Sequence, residues 1–271
     1  MRILLVFFFL SGFSSPVFSQ TEGLSSHIPK NSFYFYWGWN RGAYTNSDIS
    51  FSGENYNFTL DNVQATDRQS RLSKTYFSPK TFTIPQYNFR VGYTFKDNLD
   101  ISFGIDHMKY VVVQGQTATI NGNIDIPASE FNGTYSNEKI TLNPNFLLLE
   151  HTDGLNYVNL ELRHSLFLFN KSKWNFHFKK GIGLGAMYPR TNSTLFGQER
   201  YDEFHLSGYG ISAMAGMSIT RRKRFFIQPE VKAGFINLTD IRTTQSKLDR
   251  AQQHFFFTQL MVVFGVYLNT K

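Results

Sequence analysis

Four of the seven histidines, His107, His151, His205 and His254, map to the outer ends of predicted strands or to the adjoining loops, where Asp and Glu residues also lie. His107 directly follows Asp106, and His151 is two residues from Asp153. A histidine that is oriented by a carboxylate and lies near a hydroxyl is the minimum arrangement for acyl transfer or hydrolysis by general base catalysis. If the protein is an enzyme, we expect His107 or His151 to be the base and Asp106 or Asp153 to orient it. No serine nucleophile can be assigned.

Such clusters of histidine and carboxylate can also bind a divalent cation. The spacing matches no metal-ligand motif, so the sequence predicts no metal site and no cofactor. The absence of cysteine excludes disulfide frameworks, thiolate metal sites and a lipid anchor on cysteine.

A second set of ionisable residues lies inside apolar segments, where a buried charge needs a partner. Its members are Arg90, Asp106, Glu161, Arg163, Lys179, Glu230 and Lys232. With four cations and three anions, this set can pair internally, and we expect it to form one network.

The elements that must position these side chains are strands, because apolar and polar residues alternate with a period of two. Phe256, Leu260 and Val262 share one parity, whereas Gln259 and Met261 share the other. Eight segments reach the ~9–11 residues that a tilted strand needs to cross a membrane. They are Ser32 to Ser47, Phe82 to Phe95, Leu99 to Val113, Leu155 to Phe169, Trp174 to Ser193, Glu203 to Thr220, Arg224 to Arg242, and His254 to Leu268.

The composition supports strands rather than helices as the crossing elements. The chain has 271 residues, including 29 Phe and 14 Tyr, and a formal net charge of +7. No internal run approaches the ~20 apolar residues that a membrane helix needs, which excludes a helical membrane protein. Aromatic residues spread over alternating segments are typical of a barrel with aromatic girdles at both membrane interfaces.

The connections between these segments alternate in length. Lys96 to Asn98, Asn170 to Lys173 and Arg221 to Lys223 are tight polar turns, and the other four connections are longer. Short turns on the periplasmic side and long loops outside are the signature of an outer-membrane barrel. We therefore predict an all-β fold, an eight-stranded antiparallel up-and-down transmembrane β-barrel. Hairpin signals at Ser52 to Asn55 and Ile120 to Ile124 predict β-structure in the long loops.

The N-terminus resembles a secretory signal peptide. Arg2 precedes an apolar run from Ile3 to Phe13, and compact residues follow at Val17 to Ser19. We predict a cleaved signal peptide at residues 1–19, a periplasmic lead-in at residues 20–31, and an outer-membrane barrel at residues 32–271. The expected location is the outer membrane of a Gram-negative cell.

These features together resemble the small eight-stranded outer-membrane barrels, the group of the OmpA transmembrane domain, OmpW and the lipid A palmitoyltransferase. The resemblance covers the whole mature chain and is architectural, so no catalytic residue is carried over. Ile84 to Asn88, Asp106 to Tyr110 and Glu150 to Gly154 also resemble barrels of gliding-type Gram-negative bacteria. That second likeness implies no activity.

An eight-stranded barrel is only wide enough to be filled by its own side chains. We therefore expect a non-catalytic barrel whose lumen is plugged by the charge network and whose surface loops have binding or structural roles. The alternatives are an outer-leaflet enzyme that modifies lipid A or phospholipid, and a narrow transport conduit. The register near Lys179 and Lys180 stays open, because a bulge there would turn one of them inward.

The expected partners are outer-membrane lipid or lipopolysaccharide and the barrel-assembly machinery. Phe264, Tyr267 and Leu268 resemble the terminal recognition pattern of that machinery. No nucleic acid is expected, since lipid phosphates explain the basic turn Arg221 to Arg224. Membership of a larger outer-membrane complex stays open.

Overall fold

The computed structural model describes residues 28, 30–71, 73–76, 78, 80–81, 84–198 and 201–269. The predicted signal peptide lies outside the described residues, as does most of the lead-in. No helix among the described residues is long and apolar enough to cross a membrane. The strands in chain order are β1 (Ser32–Tyr44), β2 (Ser47–Gly53), β3 (Tyr56–Val63), β4 (Ala65–Thr66), β5 (Tyr87–Lys96), β6 (Leu99–Val112), β7 (Thr117–Ile124), β8 (Gly133–Thr141), β9 (Leu147–Lys171), β10 (Trp174–Met187), β11 (Arg190–Leu195), β12 (Tyr201–Phe204), β13 (Gly208–Arg221), β14 (Phe225–Arg242) and β15 (Arg250–Asn269). A 3₁₀ turn spans Lys74–Tyr76.

Eight of these strands close into a ring in the order β1, β5, β6, β9, β10, β13, β14, β15, and β15 pairs back with β1. Every neighbouring pair is antiparallel, which confirms the predicted eight-stranded up-and-down barrel. Following the register once around the ring from Phe33 leads to Ala43, ten residues further along β1. A stagger of this kind tilts the strands against the barrel axis, typically by 35–45°.

The two faces of the barrel wall differ in polarity. Side chains on the outward parity are mostly apolar and exposed, for example Leu184 at 66% and Leu260 at 61%. Side chains on the inward parity are buried and include most of the buried ionisable groups. The outside of the barrel is therefore an apolar belt, and the polar chemistry lies in the lumen.

The long loops fold into a second layer of β-structure at one end of the barrel, which we call the extension. β2, β3, β7 and β8 continue the sheet from the upper end of β15, while β11 and β12 add to the upper part of β9. The hairpin predicted at Ser52 to Asn55 is present as the turn between β2 and β3. The signal at Ile120 to Ile124 instead lies inside β7, at a register irregularity before Gly122, and the chain turns into β8 later, at residues 125–132. The extension has its own apolar core, which includes Phe51, Phe58, Ile120, Phe146 and Leu195.

Several predicted segments have different bounds in the structure. β5 begins at Tyr87, and the segment predicted from Glu203 to Thr220 is interrupted, because β12 ends at Phe204 and β13 begins at Gly208. β9 is longer than predicted, because its upper part forms a wall of the extension. The segment predicted from Trp174 to Ser193 is broken at Pro189, because proline has no N–H to donate to a neighbouring strand. The chain re-enters the sheet as β11, which pairs with β9 and β12 instead of β13.

The open register on β10 is also settled. Lys179 faces the lumen and is buried, whereas Lys180 faces outward and is exposed. The irregularity lies on the neighbouring strand, where Phe176 pairs with Phe169 but His177 pairs with Phe167. One residue of β9, Leu168, therefore bulges, and β10 keeps its alternation throughout.

Candidate functional site

The lumen is crossed by an ionic network centred on the carboxylate of Glu161. Its Oε1 lies 2.8 Å from Arg90 Nη2 and 2.6 Å from Lys232 Nζ, and its Oε2 lies 2.5 Å from Arg163 Nη2. All of these side chains are fully buried. One carboxylate thus holds three cations that come from β5, β9 and β14.

Two further carboxylates complete this network. Asp106 Oδ2 lies 2.5 Å from Lys232 Nζ and 3.9 Å from Arg90 Nη2. The guanidinium of Arg163 donates to both oxygens of Glu230, each at 3.1 Å. The six groups therefore form a single connected network of three cations and three anions. A buried charge pair is tolerated when partners and hydrogen bonds satisfy it in this way.

Lys179 lies outside this connected group and has a partner that the sequence analysis did not predict. Its Nζ is 3.5 Å from Asp100 Oδ2 and lies over the Tyr34 ring, 5.0 Å from its centroid. Tyr34 also donates its hydroxyl proton to Asp100 Oδ1 at 2.5 Å. With Asp100 included, the buried lumenal charges number four of each sign, so the interior is neutral.

Neutral side chains saturate the remaining donors and acceptors of the network. Tyr36 Oη accepts from Arg90 Nε at 3.0 Å and from Arg163 Nη2 at 2.8 Å. Asn159 Oδ1 accepts from Arg90 at 2.7 Å, and Asn159 Nδ2 donates to Asp106 at 3.1 Å. Such second partners fix the geometry of each charged group and make the network rigid.

Glycine on the lumenal face of β10 makes room for these side chains. A Cβ placed on Gly183 would lie 2.8 Å from the Glu161 Cγ and 2.8 Å from the Ser212 Oγ. Any larger residue would displace the central carboxylate. Gly181 on the same face lies against a second member of the network, because a Cβ there would be 3.0 Å from Arg163 Cγ.

The structure does not bring the four catalytic candidates together. His107 lies on the outward parity, where its ring stacks on Tyr87 at 4.8 Å and its Nδ1 is 2.8 Å from Asn156 Oδ1. Asp106, its neighbour in sequence, faces the lumen and belongs to the ionic network. Consecutive residues of a strand point to opposite faces, so Asp106 does not orient His107.

His151 lies higher in the extension and is fully buried. Its Nδ1 is 3.0 Å from Thr191 Oγ1, and burial lowers its pKa to about 3. Asp153 is half-exposed, with its carboxylate 3.9 Å from Arg190 Nη1. In register, His107 pairs with Asn156, five residues from His151, which separates the two histidines by about 16 Å along the strand.

The described residues do contain a close histidine–carboxylate pair, and it involves residues that the sequence analysis did not combine. His205 Nε2 lies 2.8 Å from Asp240 Oδ2, and Arg242 Nη2 lies 3.7 Å from the same oxygen. Both members of the pair are partly exposed. No group of three or more His, Asp or Glu side chains in the described part of the chain is arranged to hold a metal ion.

No protein-family model matches the chain, and no curated protein matches it. Among solved structures, the chain is similar to the outer membrane protein OprG from Pseudomonas aeruginosa, with 9% identity, a TM-score of 0.40, and coverage of 89% of this chain and 97% of that chain. It is also similar to Ail, the attachment invasion locus protein of Yersinia pestis, solved with the heparin analogue sucrose octasulfate, with 8% identity, a TM-score of 0.31, and coverage of 89% and 100%. Neisserial surface protein A gives 9% identity, a TM-score of 0.31, and coverage of 85% and 99%.

Proposed function

We propose that the chain is an integral outer-membrane β-barrel protein with a closed lumen and a folded extension that serves as a binding or structural surface outside the cell. The apolar belt supports the membrane location. Exposed Phe, Leu, Ile and Val side chains surround the barrel. In water, an apolar surface of this size would need a large protein partner to cover it, whereas in a membrane the lipid chains cover it. The short turns then lie on the periplasmic side and the extension lies outside.

The observation that carries the closed lumen is the neutral, fully buried ionic network. A conduit for ions or polar solutes needs groups that can release their partners to a passing solute. Here Glu161 has three cationic partners within 2.8 Å, and Arg163 is held by both Glu161 and Glu230. The network therefore acts as an electrostatic plug.

Apolar and aromatic side chains support closure on both sides of the network. Toward the extension, Met108, Tyr157 and Phe257 are buried in the apolar core that continues into the extension. Toward the short turns, Tyr34, Phe226 and Tyr267 pack together with Ile28 of the lead-in. The charged layer is thus enclosed by two apolar layers.

The extension supports a role at the surface. Its core places many buried apolar side chains above the barrel, so the long loops form one folded unit instead of independent flexible loops. β8 ends the path of paired strands in the sheet and is exposed on both of its faces. A rigid, exposed β-surface of this kind is suited to binding another molecule with little loss of conformational entropy.

Two measurements test this proposal. Heat-modifiable migration of the purified chain on a denaturing gel tests the membrane barrel, and detergent-free solubility of the mature chain would contradict it. Mass spectrometry of lipid A and phospholipids from cells that carry wild type, His151→Ala or no protein tests the non-catalytic role. We expect identical lipid profiles in all three, and an acyl chain gained or lost with His151 would instead establish an enzyme.

A further inference from the structure

We propose that the barrel wall formed by β10, β13 and β14 binds an anionic phospholipid of the periplasmic leaflet, with its phosphate on the two basic turns and an acyl chain in a groove above them. This inference rests on the proposed membrane location of the barrel. It concerns the outer face of the barrel wall, where Glu161 of the lumenal network also reaches the groove lining beside Gly183.

The first observation is a concentration of cations at two adjacent short turns. Trp174 pairs with Arg221 in register, and the Arg222 amide donates to the Lys173 carbonyl at 2.9 Å, so the two turns are in contact. The cations of this cluster, which we call the basic rim, are Lys171, Lys173, Arg221, Arg222, Lys223 and Arg224.

The basic rim has no acidic residue of its own to neutralise it. The sequence contains no Asp or Glu from Leu162 to Gln198 or from Phe204 to Pro229. None of the rim cations forms an ion pair with another described residue. This end of the barrel wall therefore presents about six unpaired positive charges where lipid phosphates lie.

The backbone of the second turn indicates that these cations are not incidental. Arg222 and Lys223 have φ angles of 51° and 56°, in the left-handed region that favours glycine and asparagine. Tight hairpins usually place Asn or Gly at such positions. Two long cationic side chains are kept there at the cost of local strain, and strained residues of this kind concentrate at functional positions.

The second observation is an apolar groove on the outer face of the same strands. It has a volume of about 800 Å³ and is walled by protruding side chains such as Leu184, Ile211 and Phe235, with Ala213 and Ala233 at its floor. Between the groove and the basic rim, Lys180 faces outward and pairs in register with Ala215. The wall therefore offers positive charge at the membrane surface and a chain-sized apolar groove above it.

Charge also argues against a second copy of the chain as the occupant of the groove. Two copies in one membrane share the same orientation, so their basic rims would meet at the same depth. Six unpaired cations would then face six others, which is repulsive in a setting of low screening. An anionic phospholipid supplies the opposite charge and an apolar chain in one molecule.

The test uses the full-length barrel in nanodiscs of phosphatidylethanolamine and phosphatidylglycerol with identical acyl chains, at a 3:1 ratio. Native mass spectrometry of the released protein measures the ratio of the two lipids retained. We expect phosphatidylglycerol to be enriched on wild type and to be lost from Arg222→Gln/Arg224→Gln. Each cation near a lipid surface changes affinity about fivefold, so the double variant should lose about 25-fold.

The matched control removes two arginines at the opposite end of β14, where it connects to β15. Arg242 pairs with Arg250 across β14 and β15, so Arg242→Gln/Arg250→Gln changes the net charge equally without touching the basic rim. We expect this variant to retain phosphatidylglycerol as wild type does. An equal loss from both double variants, or no enrichment on wild type, would overturn the proposal.

Ala213→Phe tests the groove separately, because it fills the floor and leaves every cation in place. We expect fewer retained lipid molecules of either kind. If Ala213→Phe instead abolishes a cross-linked dimer and leaves lipid retention unchanged, the occupant is a second copy and the proposal fails.

Each variant is first inserted into liposomes of phosphatidylethanolamine alone and checked for heat-modifiable migration. Failure of wild type at that step would refute the membrane barrel itself. Insertion without any preference for phosphatidylglycerol would refute only the lipid site.

Discussion

Glu161→Gln removes one negative charge from the centre of the lumenal network while keeping the volume of the side chain. The three cations around that carboxylate, Arg90, Arg163 and Lys232, then share only two carboxylates of the connected group. Breaking a buried ion pair by removing one partner costs about 3–5 kcal/mol, because a charge is left buried without compensation. We expect the free energy of unfolding to fall by about 3 kcal/mol, since glutamine still accepts one hydrogen bond.

The same change should open the lumen to ions. The buried charges are balanced in wild type, and Glu161→Gln leaves one cation in excess, so water and anions are drawn to the unpaired group. In planar lipid bilayers we expect wild type to remain closed and Glu161→Gln to show discrete conductance with a preference for anions. Glu138→Gln, which removes an exposed carboxylate of β8, is the control and should behave as wild type.

Lys232→Met supplies the opposite perturbation. It leaves one carboxylate in excess, so its conductance should prefer cations. The double variant Glu161→Gln/Lys232→Met restores charge balance, and we expect both stability and closure to recover in part. If both single variants stay closed and as stable as wild type, or if both show the same ion preference, the network is not the plug.

Three other changes probe the extension and the belt. Burial keeps His151 neutral in the folded extension, where its pKa is about 3. In the unfolded chain the same side chain has its ordinary pKa of about 6.5, so the unfolded state gains a proton first as the pH falls. We therefore expect the extension to lose stability progressively between about pH 6.5 and about pH 3. His151→Phe should remove that pH dependence of protease resistance. Phe146→Ala should lower the free energy of unfolding of the extension by about 3–5 kcal/mol and expose the extension to protease, while the barrel keeps its heat-modifiable migration. The control Phe204→Ala, at an exposed site, should leave both protease resistance and migration unchanged. Lys180→Leu should raise the free energy of unfolding in lipid by about 2 kcal/mol, and Lys96→Leu at a turn should have little effect.

The ring of strands could be predicted because its signals are local. Alternation of period two defines each strand, and a tight turn such as Asp97-Asn98 fixes which strands pair. The extension could be predicted only as hairpins. Its core joins Phe51, Phe146 and Leu195, which come from three different loops, and nothing in the local pattern shows how such loops pack together.

Asp100 was missed for a reason that lies in the geometry of the barrel. The sequence gives the distance of each residue only from its own turn, and by that measure Asp100 is two residues from Asn98 whereas Lys179 is six residues from Lys173. The β9–β10 hairpin extends about six residues past the start of β6, because Leu99 pairs with His164 and His164 pairs with Lys180. Lys179 therefore lies close to Asp100, and the two side chains pair. The histidines show a related limit: the close pair, His205 with Asp240, joins residues from the two ends of a hairpin.

The balance of charge in the lumen also bears on how the barrel reaches a single register. A slip of one residue between neighbouring strands turns every side chain to the other face. In this chain, such a slip of β9 would turn Glu161 and Arg163 from the lumen to the apolar belt, where a single arginine costs about 2–4 kcal/mol. A buried ionic network adds little stability compared with a well-packed apolar core of the same volume. It can still exclude the wrong registers, because those registers place its charges in the lipid. The residues that we propose as the plug would therefore also specify the stagger that brings them together.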